Sequence, residues 1–198
     1  MSGSAIVKLG ITGGIGAGKS MVCRVLEVLG VPVYYADDRA KWLMNHQPKL
    51  KQSIALLFGT KSYREGVLDN RFIAERIFTN QDLIKQMNTL VHPAVKQDFK
   101  EWCVTQSKKI IAKETALLFE TGSYKELDQS WLVTCPIDKR IKRVKKRDPS
   151  RSDQEIIGII EKQWNDEEKL HLADIILAND DEQLLIPQVL TALSKVDP

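Results

Sequence analysis

The stretch Gly13-Gly14-Ile15-Gly16-Ala17-Gly18-Lys19-Ser20 places four glycines within six positions and follows them with a lysine and a hydroxyl. This is the G-x-x-x-x-G-K-[ST] spacing of a phosphate-binding loop. Glycines let a backbone wrap close to an anion, and successive N–H groups then form a nest for phosphate oxygens. A helix that starts at the end of such a loop adds its positive N-terminal end. The flanks suit this reading, with an apolar, β-rich run at Ile6–Thr12 before the loop and an amphipathic run at Met21–Leu29 after it. The candidate triphosphate-binding residues are Gly14, Ile15, Gly16, Ala17, Gly18, Lys19, Ser20 and Met21. Lys19 would neutralise the β- and γ-phosphates, and the Ser20 hydroxyl would ligate Mg²⁺.

What the triphosphate is used for depends on other residues. A GTPase switch would carry N-K-x-D and D-x-x-G motifs, and the sequence has neither. A motor ATPase would carry an apolar strand ending in Asp-Glu, and the nearest stretch is Ala116-Leu117-Leu118-Phe119-Glu120 with a lone acid. These absences favour a kinase over a switch or mechanical NTPase. After the run Val31–Tyr35 come Asp37 and Asp38. A carboxylate there can orient an acceptor hydroxyl and take its proton, or can cap a helix starting near Arg39. On spacing alone both readings of Asp37 stay open. Further on, Lys139, Arg143 and Arg147 recur every fourth residue and share one helix face. Beside a phosphate loop, such a face suits a cationic lid that closes over the transferring phosphoryl group. No aromatics interleave these cations, which weakens a single-strand nucleic-acid reading.

The elements that must position these groups are legible in outline. Five β-rich runs, Ile6–Thr12, Val31–Tyr35, Ile110–Phe119, Ser130–Cys135 and Ile175–Ala178, are separated by helical patterns. That order predicts an α/β fold with a five-stranded parallel sheet. Ile6–Thr12 has the mixed faces of a buried central strand. About 75 residues separate the second and third runs, far beyond one crossover helix, so residues 41–107 are expected to form a helical lobe. Residues 139–171 are expected to form a basic helix, a break at Asp148-Pro149 and another helix. The core would then comprise residues 5–40, 108–138 and 172–198, closed by an amphipathic helix over Glu182–Val196 that starts or breaks near Pro187. At 198 residues, 43% hydrophobic and 28% charged, with a formal charge of +3, the chain suits one cored soluble domain and demands no nucleic-acid or membrane partner. Its three scattered cysteines fit reduced thiols in the cytoplasm. No apolar run approaches a membrane span, and the N-terminus lacks the pattern of a signal peptide.

Along nearly its whole length the sequence resembles the dephospho-coenzyme A kinases. The matching pieces, in the family's order and spacing, are LGITGGIGAGKS, VYYADDRA, GVLDNRFIAERIF, MNTLVHPAV, ALLFETG, RIKRVKKRD, EKQW and ADIILAND. The resemblance implies a P-loop kinase three-layer fold with a helical substrate lobe and a lid. It implies that ATP phosphorylates the ribose 3′-hydroxyl of dephospho-CoA, with Mg²⁺, in a monomer or small homo-oligomer. Asp37 matches the family's acidic residue proposed as the base, which leaves Asp38 as the cap. Arg143 and Arg147 match the lid arginines on the ATP phosphates, and Asn179 matches a residue near the adenine. Arg71 and His92 match substrate-lobe positions, where His92 either binds dephospho-CoA or caps a helix before Pro93. Gln163 and Asp174 also match, with structural roles equally open, and Trp102 is expected in the lobe's core. Two departures stand out: Tyr35 replaces the first acid of the family's D-A-D, and Ala116 replaces the proline of P-L-L-F-E.

Overall fold

The computed structural model describes residues 6–80 and 82–196. Residue 5, the expected start of the core, and residues 197 and 198, its expected end, lie outside the described residues. The strands are β1 (Val7–Thr12), β2 (Val33–Tyr35), β3 (Tyr63–Arg64), β4 (Val67–Leu68), β5 (Ile110–Glu114), β6 (Gln129–Thr134) and β7 (Ile175–Ala178). The helices are α1 (Lys19–Val28), α2 (Ala36–His46), α3 (Pro48–Phe58), α4 (Asn70–Thr79), α5 (Asp82–Val104), α6 (Ile137–Arg147), α7 (Asp153–Glu161), α8 (Asp166–Leu170) and α9 (Leu185–Leu193).

Five strands form one parallel sheet in the order β2-β5-β1-β6-β7. β1 is the middle strand. Ile11 is in register with Glu114 on one side and Trp131 on the other, and Leu9, Ile11 and Thr12 are fully buried. Parallel strands covered on both faces read as apolar runs without alternation, which is why β1 was legible in the sequence. The ends of all five strands that point toward the following loops lie at one edge, where ligands of an open α/β sheet bind.

The chain divides into two compact units. One runs to Tyr35 and resumes at Gln106; the other is Ala36–Thr105. The first buries Leu9, Ile11, Val22, Cys23, Leu26, Trp131, Leu177 and Val189 in one cluster. The second buries Leu43, Leu50, Ile54, Phe58, Leu68, Ile73, Met87 and Val91. Among the described residues, no helix is long and apolar enough to cross a membrane.

Several boundaries differ from expectation. β5 ends at Glu114, not Phe119. The apolar residues beyond it form a helical turn, with the Thr121 N–H donating to the Leu117 carbonyl. They are apolar because Leu118 and Phe119 are buried in that turn, and Leu118 packs over Gly10 of β1. α2 begins at Ala36, so Asp37 and Asp38 stand in its first turn and neither precedes the helix as its cap. There they favour the positive end of the helix, and Asp38 pairs with Lys41 at 3.0 Å. α5 runs through Pro93, so His92 caps nothing. Proline inside a helix costs about 3 kcal/mol, and burial on both sides of it, by Val91, Ala94 and Val95, offsets that. Trp102 is half-buried and stacks on Phe99 at 6.0 Å, so it is not a core residue. The closing helix is shorter than expected, with Pro187 in the first turn of α9, where its missing N–H costs nothing.

Candidate active site

The glycine loop joins β1 to α1 and belongs wholly to the first unit. Four of its carbonyls have donors. Gly13 accepts from Lys19 Nζ at 2.9 Å, and Gly14 from the Ala17 N–H at 3.1 Å. Ile15 accepts from Arg140 Nε at 2.9 Å, and Ala17 from Asn179 Nδ2 at 2.8 Å. With the carbonyls so held, the N–H groups of Gly16, Gly18 and Ser20 have no protein acceptor among the described residues. Backbone donors in a folded loop are rarely left without a partner. Three together at a helix N-terminus make a site for an anion with several oxygens. Gly18 has φ 106°, and a Cβ there would run into the Asn179 amide, so the turn admits only glycine on both counts.

Cations surround this loop. Lys19 lies 3.8 Å from Glu114, with both side chains about one-eighth exposed. Arg143, from α6, approaches the Ala17 carbonyl at 3.5 Å and the Cys135 sulfur at 3.2 Å. Its guanidinium is fixed by Asp181 at 2.7 Å. Lys139 donates to the Asp180 carbonyl. Asp180 itself accepts the N–H groups of Glu182 and Gln183, which holds its carboxyl below the usual range. Thus Asn179, Asp180 and Asp181, just after β7, tie the loop and α6 together. Beneath the loop, burial and then the charges of Glu114 and Glu27 push the Cys23 thiol far up. Cys23 therefore stays neutral and serves packing.

The sequence-derived residues fall into three groups. Gly14 to Met21, Arg143 and Asn179 come together around the loop. Arg147 is exposed in the last turn of α6, and among the described residues it has no ion-pair partner. Asp37, Arg71 and His92 belong to the second unit. There Asp37 is exposed in the first turn of α2, Arg71 is exposed and paired with Glu75 at 3.1 Å, and His92 is exposed midway along α5. Tyr35, which replaces an acid, donates its hydroxyl to Glu27 at 3.0 Å.

Two residues at the site, Glu114 and Arg140, went unrecognised in the sequence. Glu114 is the acid at the end of β5. The signal was present as Ile-Ile-Ala-Lys-Glu, but extending the strand to Phe119 moved the candidate acid to Glu120. Glu120 instead pairs with buried Lys169 at 3.0 Å. Arg140 and Gln163 both hold Ile15, across 125 and 148 residues of sequence; no local pattern announces Arg140, and Gln163 came only from the family resemblance. Asp174 has a structural role, accepting from the Ser130 N–H and hydroxyl at 2.7 and 2.8 Å.

A parallel five-stranded sheet with this loop at the carboxyl edge of its central strand, beside an arginine-bearing helix, defines a P-loop kinase. That class comprises ATP-dependent phosphotransferases. Comparison with known proteins narrows the class. Residues 7–184 match the family model described as dephospho-CoA kinase. A dephospho-CoA kinase from Bacteroides fragilis is 36% identical over 189 residues, covering 95% of this chain and 92% of its own. One from Porphyromonas gingivalis is 36% identical over 191 residues, covering 96% and 95%. Among solved structures, TT1252 from Thermus thermophilus superposes with a TM-score of 0.87 at 29% identity, covering 98% of this chain and 100% of that one. The chain belongs to the dephospho-CoA kinase family.

Proposed function

We propose that this chain transfers the γ-phosphoryl group of ATP to the ribose 3′-hydroxyl of dephospho-CoA. The hydroxyl oxygen attacks the γ-phosphorus, the bond to the β-phosphate oxygen breaks, and ADP leaves. Asp37 orients the hydroxyl and accepts its proton. Lys19 and the N–H groups of Gly16, Gly18 and Ser20 grip the phosphates, and Arg143, joined by Arg147, stabilises charge on the migrating group. Asn179 borders the adenine, and Arg71 and His92 serve dephospho-CoA. The segment 139–171 acts as the lid and 41–107 as the substrate lobe.

The residues also suit Mg²⁺, which favours hard oxygen ligands and takes one or two from protein while phosphates and water supply the rest. The Ser20 hydroxyl and the Glu114 carboxylate would hold it. When bound, it neutralises charge on the β- and γ-oxygens.

The observation that carries the reading is the set of unpaired N–H groups beside Lys19, in a chain whose relatives are dephospho-CoA kinases. The test incubates purified protein with Mg·ATP, with and without dephospho-CoA, and identifies products by mass. ADP release that depends on dephospho-CoA, with CoA formed, is expected. ADP release indifferent to dephospho-CoA, with no CoA, would make the chain an NTPase.

A further inference from the structure

Ile15 of the glycine loop is gripped through both its N–H and its carbonyl by side chains from elsewhere. Its N–H donates to Gln163 Oε1 at 2.9 Å, and its carbonyl accepts from Arg140 Nε at 2.9 Å. Both partners are themselves anchored. Arg140 is 5% exposed, and its guanidinium lies 3.7 Å from Asp166 of α8. Gln163 precedes Trp164, whose N–H donates to Glu120 at 3.1 Å, and Glu120 pairs with fully buried Lys169. The carboxylate of Glu120 thus fixes the segment that presents Gln163 and Asp166.

The same contact accounts for two loop glycines. A Cβ on Gly14 would collide with the Arg140 guanidinium. A Cβ on Gly16 would stand 2.6 Å from the Arg140 carbonyl oxygen and 3.0 Å from its Cα. Gly14 is therefore small to admit Arg140, and Gly16 lets the α6 backbone approach.

We propose that Arg140 and Gln163 are positioning residues that hold the loop in its anion-binding shape before ATP arrives. An unrestrained loop must lose conformational freedom when it wraps a phosphate, and a loop already fixed binds more tightly for that reason. With the Ile15 carbonyl held by Arg140, the Gly16 N–H, trans to that carbonyl in the same peptide unit, faces away from Arg140 and is available to the anion. Because α6, Gln163 and Asp166 all lie within residues 137–166, the restraint also makes the shape of the loop depend on that segment's being in place. The inference rests on the ATP-binding reading of the loop. It adds that affinity for the β- and γ-phosphates depends on two side chains that touch no phosphate.

The test measures dissociation constants for ATP and AMP by calorimetry on the full chain, with kcat and both KM values, for Gln163→Leu, Arg140→Lys and Lys19→Ala. Gln163→Leu is expected to weaken ATP binding and raise the ATP KM about tenfold, with AMP affinity and the dephospho-CoA KM within twofold. Gln163→Glu keeps an accepting oxygen and should recover most of the ATP affinity. Arg140→Lys keeps a charge facing Asp166 but loses the Nε donor, and should behave like Gln163→Leu if that variant fails to fold. Unchanged ATP affinity in both Gln163→Leu and Arg140→Lys would overturn the inference. So would an equal loss for ATP and AMP accompanied by a lowered melting temperature, since that marks a merely structural role. Lys19→Ala must lose the preference for ATP over AMP; if it does not, the ATP reading of the loop fails first and takes this inference with it.

Discussion

Lys19 contacts the Gly13 carbonyl and the Glu114 carboxylate. An ammonium is a compact charge with three donors, so the proposed phosphate contact is compatible with either. Glu114 is the more telling partner. Glu114→Gln keeps the shape and removes the charge, and is expected to raise the Mg²⁺ concentration for half-maximal rate about tenfold, as two-ligand sites depend on each ligand. A Mg²⁺ titration of kcat with an unchanged midpoint would remove Glu114 from the metal. Asp37→Asn separates binding from transfer: ATP affinity measured by calorimetry should stay within twofold while kcat falls by about 10²–10⁴, the usual worth of a general base. A near-normal kcat would show that Asp37 is not the base. Arg143→Ala should lower kcat more than it raises the dephospho-CoA KM, and the reverse would put Arg143 on the acceptor. At this scale the phosphate loop was fully legible because its motif is local. Glu114 and Arg140 were not, because their roles depend on where a strand ends or on a contact across more than a hundred residues, and Gln163 was marked only by the family resemblance.

Elements were legible where a periodic pattern was long and ambiguous where caps decide. The break after α6 was announced by Asp148-Pro149, since the residue before proline leaves the helical region. The next start, at α7, is a full capping box: Ser152 Oγ accepts the Glu155 N–H at 3.2 Å, and Glu155 accepts the Ser152 N–H at 2.8 Å. The Ser152 N–H first, and then its hydroxyl, which donates to the same carboxylate at 3.0 Å, hold the Glu155 carboxyl below the usual carboxylate range. The sign follows from the direction. A depressed folded pKa contributes stability that is complete above the ordinary Glu value, about 4.3, and is lost as pH falls through the lowered one. NMR titration of Glu155 should therefore give a midpoint below that of a solvated glutamate, and Ser152→Ala, which keeps the backbone donor and loses the hydroxyl, should move it part of the way back while costing about 1 kcal/mol of stability. An unshifted midpoint in the unmutated protein would mean the box does not form. The start of α2 was misplaced for the opposite reason: two acids in a row suit a cap and a first turn equally, and only the backbone distinguishes them.

For the whole molecule, alternating strands and helices implied the parallel sheet, and the long gap between the second and third β runs implied extra helices. The order β2-β5-β1-β6-β7 was not legible, because all five runs are similarly apolar and nothing local states which are neighbours. The burial pattern divides with the two units: every residue of one apolar cluster lies at or before Tyr35 or after Gln106, and every residue of the other within Ala36–Thr105. Since the clusters share no side chain, damage to one should be felt first within it. Ile54 is fully buried in the second cluster, and Ile54→Ala removes apolar volume at a cost of about 2–5 kcal/mol. Native-state hydrogen exchange should then show faster exchange of amides in Leu50–Phe58 and around Val91, with those of β1 and β6 little changed. Binding of ATP, measured by calorimetry, should persist in the same variant, because the groups assigned to grip the phosphates all belong to the first unit. Exchange that rises equally in both clusters would mean that they open as one cooperative body, with no independent breathing of the unit that carries Asp37.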